Sequence, residues 1–218
     1  MSNDATILYY SSNKEAPEFE DRIIADLIKK SGGLPIISVT QKPMDLGKNI
    51  CVGNVGASGF NMCKQILFGC MNTTTDFIIS AEADCVYPED YFTFRPKRLD
   101  VCYRNTNIAV LKYKQGFYKK DSSTFAQIIG REFYIKRLQK LFSIKPDHPM
   151  WDASLKSWPK AWGKKFMDEF EYFETKYPCV SFKTNKGMRR HTNTYGEELM
   201  ELPGWGTVSE FRKQYEIN

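Results

Sequence analysis

Glu82 and Asp84 stand two residues apart at the end of an apolar run that begins at Asp76-Phe77-Ile78-Ile79. Two carboxylates this close cannot both be buried and ionised without a cation, because repulsion and desolvation push one pKa sharply upward. A hard divalent ion with oxygen ligands resolves the conflict. Mg²⁺ or Mn²⁺ held this way keeps positions open for waters or substrate phosphates. Glu-x-Asp alone arises by chance in many chains, so its weight rests on the elements around it.

Those elements alternate. Ala5 to Tyr10 is a β-prone run that breaks at Ser11-Ser12-Asn13. Pro17 opens a helix with Phe19, Ile23, Ile24, Leu27 and Ile28 at helical spacing, and Gly32-Gly33 ends it. Leu34 to Val39 reads as a second strand with Pro35 near its start, and Gln41 to Gly59 as a loop. A second helix carries Phe60, Cys63, Leu67, Cys70 and Met71 on one face. Asp76 to Ala81 is nearly continuous in apolar character, as a buried parallel strand is. Strand, helix, strand, helix, strand predicts an α/β domain with a mostly parallel central sheet flanked by helices. Ligands of such sheets sit at the carboxyl ends of the strands. Here those ends are Tyr10 to Asn13, Thr40 to Lys42, and Glu82 to Asp84.

Beyond Pro88 the character changes. Strands are predicted at Asp100–Tyr103, Ile108–Leu111 and Cys179–Phe182, and helices at Ser123–Phe142, Gly163–Tyr177 and Val208–Tyr215. The Pro- and Trp-containing stretch Ser143–Ala161 is the candidate mobile loop.

Charge is divided the same way. Residues 1–100 hold 10 Lys/Arg against 13 Asp/Glu, and residues 101–218 hold 21 against 13. A net +8 second half attracts anionic partners, although a solvated helix face has the same composition. The six cysteines show no CxxC spacing, which argues against a zinc ribbon and suits a reducing, cytoplasmic home. No apolar stretch is long enough for a membrane span, and the N-terminus lacks a secretion pattern. No GxxxxGK[ST] is present, and Gly53 to Gly59 lacks the spacing of a dinucleotide fingerprint.

The stretch Ile78-Ile79-Ser80-Ala81-Glu82-Ala83-Asp84-Cys85-Val86-Tyr87 resembles the strand and DxD-type motif of GT-A-fold glycosyltransferases, in a Glu-x-Asp variant. Ile7 to Asn13 resembles their first strand and nucleotide-contacting turn. Gly56 to Gly69, which contains Lys64, sits where they have a helix facing the nucleotide. Tyr103 to Asn107 and Pro203-Gly204-Trp205-Gly206 resemble segments of small bacterial and phage-type, family 2-like members. Similarity covers residues 5–115 and the tail.

The resemblance implies a single GT-A-like, Rossmann-like domain. Residues 1–100 would form its nucleotide-sugar half and residues 101–218 its acceptor half. Asp84 would be the principal metal ligand, and Glu82 would hold the ribose or a metal-bound water. Tyr10, Ser11, Ser12, Asn13 and Lys64 would line the donor site. His191 would be a third ligand, with Arg189 and Arg190 on the diphosphate. An inverting member needs a carboxylate base, for which Asp152 and Asp147 are the candidates, although either equally suits a helix cap. The implied reaction is metal-dependent transfer from a nucleotide sugar, UDP-glucose or similar, to an acceptor hydroxyl. A glycan or a hydroxymethylated base in phage-type DNA would serve as acceptor. The alternatives are a non-catalytic, basic nucleic-acid-binding protein and a nucleotidyltransferase. The latter normally carries a Gly-rich, Arg-containing loop after strand one, which Ser11 to Ala16 is not.

Overall fold

The structure is a computed structural model and describes residues 4–112, 115–155, 170–184 and 196–215. Its first half runs β1 (Ala5–Ser11), α1 (Pro17–Lys30), β2 (Ile36–Thr40), β3 (Lys48–Cys51), α2 (Gly59–Met71) and β4 (Phe77–Glu82). Then come β5 (Cys85–Val86), α3 (Glu89–Thr93), β6 (Cys102–Asn105), β7 (Ile108–Leu111), β8 (Phe117–Lys120), β9 (Gln127–Gly130) and α4 (Arg131–Phe142). The chain ends with β10 (Phe170–Phe173), β11 (Cys179–Phe182), β12 (Glu201–Leu202), β13 (Gly206–Thr207) and α5 (Val208–Tyr215).

The central sheet has seven strands in the order β10-β6-β9-β4-β1-β2-β3. β3, β2, β1 and β4 are parallel, as the alternating pattern requires, and β9 runs antiparallel between β4 and β6. The chain winds from β1 outward to β2 and β3, then returns to place β4 on the other side of β1. The crevice between the carboxyl ends of β1 and β4 is thus the topological switch point. A second sheet of four strands, β5-β11-β7-β8, is mostly antiparallel.

Alternation along β1 sorts the core. Ala5, Ile7 and Tyr9 pack with Leu27 of α1, with Tyr91 and Phe92 of α3 and with Ile108 and Cys179 of the second sheet. Leu8 and Tyr10 face Cys63, Ile66 and Cys70 of α2 and Tyr134, Ile135 and Leu138 of α4. A Cβ at Gly69 would collide with Leu8, so glycine lets α2 lie close on the sheet.

Four expectations are corrected here. The loop Gln41–Gly59 contains β3, because Asn49 donates side-chain hydrogen bonds to Ser38 Oγ and Thr40 Oγ1 and fixes an edge strand of only four residues. The helix expected over Ser123–Phe142 begins only at Arg131. Ile128 and Ile129 are fully buried in β9, and a Cβ at Gly130 would strike the Leu99 carbonyl. The helix expected over Gly163–Tyr177 is a strand over Phe170–Phe173, held in parallel register by β6, while residues 163–169 lie outside the described residues. β2 and β6 each lie about two residues further along than expected, at Ile36–Thr40 and Cys102–Asn105. No described helix is long and apolar enough to cross a membrane.

Candidate active site

β4 enters the core nearly all apolar and ends at Glu82, where the chain leaves the central sheet through Ala83-Asp84 and joins the second sheet at Cys85. Glu82 pairs in register with Tyr10, the penultimate residue of β1, and its Oε1 accepts a hydrogen bond from Tyr10 Oη at 2.8 Å. The Glu82 N–H donates to Tyr87 Oη at 3.0 Å, and Tyr87 in turn donates to the Phe125 carbonyl. One buried phenol, Tyr10, therefore aims the carboxylate, and a second, Tyr87, holds the backbone that carries it.

Asp84 is fixed from the opposite side. Its carbonyl accepts from the Phe182 N–H at 2.7 Å, and its Oδ2 lies 3.6 Å from Lys183 Nζ. The ammonium also donates to Ser181 Oγ at 2.9 Å. Ligand atoms of Glu82, Asp84 and Cys85 all lie within 4.8 Å of one another.

The electrostatics follow from this crowding. Burial first, and the Asp84 charge second, push the Glu82 carboxyl up to about 7, against the Tyr10 hydrogen bond and the Lys183 and Lys120 charges, which lower it. For Lys183, burial pulls the ammonium down. Asp84, Cys85 and Glu82 outweigh burial, and the net shift is upward. The Cys85 thiol is driven up by burial and by both carboxylates, which keeps it protonated and inert. Two carboxylate oxygens of this kind fit a hard divalent ion.

The turn after β1 is held by its own polar groups. Asn13 adopts φ 50°, and its Oδ1 accepts from the backbone N–H groups of Gln41 and Lys42 at 2.9 Å each. Ser11 Oγ accepts from the Asn13 N–H, and Gln65 of α2 donates to the Ser11 and Val39 carbonyls. The turn after β1 is thus clamped to the turn after β2 and to α2. Ser12 is half-buried beside it.

The remaining expected site residues make other contacts or lie outside the described residues. Lys64 places its Nζ 3.8 Å from the centroid of the Phe142 ring, and burial lowers its pKa. Asp152 is tied to the start of α2: its N–H donates to Asn61 Oδ1, its carbonyl accepts from Ser58 Oγ, and Ser58 caps the helix. The Asp152 carboxylate accepts from Ser154 N and Oγ and pairs with His148 Nε2 at 3.1 Å, which holds its pKa below the usual range, Ser154 contributing most. Asp147 is exposed. Neither Lys64 nor Asp152 makes a hydrogen bond or ion pair to Glu82 or Asp84 among the described residues. Residues 143–155 of the expected mobile loop include this α2-bound segment, where Trp151 also stacks on Phe68 at 5.8 Å. Arg189, Arg190 and His191 lie outside the described residues.

Lys183 and Lys120 went unseen in the sequence. A signal existed for Lys183, since it directly follows the expected strand Cys179–Phe182, at the kind of strand end where ligands gather.

No protein-family model matches the chain, and no curated protein matches it. Among solved structures the chain is similar to a glycosyltransferase involved in the glycosylation of the major capsid of PBCV-1, with 8% identity, 78% of this chain and 81% of that one covered, and a TM-score of 0.45. It is similar to the inositol-1-phosphate CTP transferase from T. maritima, with 10% identity, 98% and 94% covered, and a TM-score of 0.45. It is similar to the bifunctional IspDF from Campylobacter jejuni, with 12% identity, 79% of this chain covered and a TM-score of 0.42, and it spans 50% of that chain's length.

Proposed function

We propose that this chain is a metal-dependent glycosyltransferase that uses a nucleotide sugar, UDP-glucose or a close relative, and a hydroxyl acceptor. The observation that carries the reading is the Glu82–Asp84 pair at the β1/β4 switch point, with a Glu82 carboxyl raised to about 7 by burial and its neighbour. In this reading Asp84 and Glu82 hold Mn²⁺ or Mg²⁺. The ion, when bound, supplies Lewis-acid neutralisation of the departing diphosphate. Tyr10 orients the Glu82 carboxylate and Tyr87 fixes its backbone, so the acid does not swing into solvent when the donor enters. The clamped turn Ser11 to Asn13 forms the nucleotide wall. The Lys183 and Lys120 charges act on the same pair from the second sheet.

In this reading residues 1–100 form the donor half and residues 101–218 the acceptor half of one domain, the latter also reaching over the donor. Arg189, Arg190 and His191 are proposed to complete the diphosphate and metal contacts. Of the two candidate bases, Asp147 is preferred. Asp152 is held ionised by Ser154 and His148, which makes it a weak proton acceptor. The excess of Lys and Arg in the second half favours an anionic acceptor, such as DNA bearing hydroxymethylated bases, over a neutral glycan.

A nucleotidyltransferase is the competing chemistry. It is disfavoured by the turn after β1, which lacks both Gly and Arg and spends its Asn13 side chain on backbone donors. The deciding experiment is a thermal-shift panel of nucleotide sugars and nucleoside triphosphates with and without Mn²⁺, followed by product analysis. A glycosyltransferase is stabilised by one nucleotide sugar in the presence of Mn²⁺ and releases the nucleoside diphosphate. Stabilisation by triphosphates alone, with pyrophosphate released, would overturn the reading in favour of nucleotidyl transfer. Salt-steep nucleic-acid binding with no response to Mn²⁺ would leave only a binding protein.

A further inference from the structure

Lys183 is rooted rigidly but ends in a flexible stem. Its N–H donates to the Leu111 carbonyl at 2.9 Å, and the preceding Phe182 N–H donates to the Asp84 carbonyl, so β11 fixes the lysine backbone against both β7 and the acid turn. Its ammonium reaches Asp84 Oδ2 at 3.6 Å and Ser181 Oγ at 2.9 Å, with the lysine side chain 18% and the aspartate side chain 21% exposed. The carboxylate that the previous reading gives to a divalent ion therefore already has a cation against it. A doubly charged ion and an ammonium sharing one half-buried carboxylate repel each other strongly at this range. The four-carbon stem lets the ammonium turn away without moving the strand. A nucleotide diphosphate entering at the same strand ends brings the anion that the displaced ammonium needs.

We infer that Lys183 is an exchangeable internal counter-ion: it neutralises Asp84 in the empty site, yields that carboxylate to the divalent ion, and transfers its ammonium to the diphosphate of the donor. The inference rests on the metal and nucleotide reading above and adds a positioning and binding role for a residue of the second sheet. Its consequence is a pair of effects of opposite sign. Loss of the ammonium strengthens divalent binding to the empty protein and weakens binding of a nucleoside diphosphate to the metal-loaded protein. A residue needed only for structure would weaken both.

The test uses the full chain. Mn²⁺ alone is titrated into wild type, Lys183→Met and Lys183→Gln, and UDP is then titrated at saturating Mn²⁺. The expected result is Mn²⁺ affinity about tenfold higher and UDP affinity about tenfold lower in both variants, with Lys183→Arg close to wild type, since a charge of the same sign is restored. Unchanged or weaker Mn²⁺ binding in the neutral variants overturns the exchange. Failure of wild type to bind Mn²⁺ at all instead overturns the functional reading beneath it. Should the variants not fold, amine labelling of the wild type read by mass spectrometry decides. Labelling of Lys183 rises when Mn²⁺ is added and falls again with UDP if the ammonium exchanges, and a constant extent of labelling sinks the proposal.

Discussion

The two walls of the candidate site are built in opposite ways. The acid wall comes from one short stretch, Glu82 to Cys85, positioned by β1 and β4 through successive strand–helix units. The cationic wall comes from a four-stranded sheet gathered from four separated segments, and it delivers Lys183 from nearly half a chain length away. Local winding thus makes the charge problem, and long-range pairing partly solves it. Mutations on the acid wall are expected to change ligand binding with little change in folding. Those on the cationic wall are expected to disturb both, because its strands are held by side-chain packing between distant pieces.

The largest expected effect is on the cationic wall. Phe182 is fully buried, stacks on Phe211 at 5.0 Å and meets Phe19 edge-on at 5.2 Å. Phe182→Ala is expected to cost about 3–5 kcal/mol in chemical denaturation, since a phenyl-sized cavity opens between β11, α1 and α5. A loss under about 1 kcal/mol would break the comparison, because the second sheet would then not depend on this packing.

Asp84→Asn comes next. It removes one charged ligand while keeping the turn, and it is expected to weaken divalent affinity about a hundredfold, or ~2.7 kcal/mol, by calorimetry, with the melting temperature of the metal-free protein held or raised. A variant that both unfolds and loses metal would show that the acid wall is structural too.

Glu82→Gln sharpens the electrostatic side. The folded carboxyl titrates at about 7 against 4.5 for an ordinary glutamate, so the native state binds the extra proton between those values. The stability this group contributes is fully present below pH 4.5, declines as pH rises, and is gone above about 7, with a slope of at most about 1.4 kcal/mol per pH unit. In metal-free protein Glu82→Gln removes that decline. Denaturation curves recorded across this pH window for both proteins would refute the assignment if their pH dependences coincide.

The smallest effect is expected for Tyr10→Phe. It deletes the 2.8 Å hydrogen bond to Glu82, costs about 1 kcal/mol, and moves the Glu82 titration upward, since that bond favours the charged form. An unchanged titration of Glu82, followed by its carboxyl carbon resonance, would show that the phenol does not tune it.

Particular residues show why one wall was legible and the other was not. Glu82 and Asp84 could be read because an apolar parallel strand and the carboxylates at its end are neighbours in the chain, and hydrophobic periodicity reports such neighbours directly. The helix over Pro17–Lys30 and the strand over Cys179–Phe182 were legible for the same reason. β9 was not. Gln127–Gly130 precedes a genuine helix, and its strand character comes from the open edges of β4 and β6 on either side. Asp152 looked like a free acid beside a tryptophan, yet its oxygens are taken by Ser154 and His148 and its backbone by α2. The resemblance puts Lys64 in the lining of the donor site, and its ammonium lies over Phe142.

From the sequence alone came the α/β alternation, the parallel strands β1, β2 and β4, and the placing of an acid pair at a strand end, because these depend on periodicity within a few residues. Tertiary structure decided that β9 is a strand, that Tyr10 aims the Glu82 carboxylate, and that Lys183 faces Asp84. Each of those contacts is made across a sheet between segments whose spacing along the chain carries no trace of it.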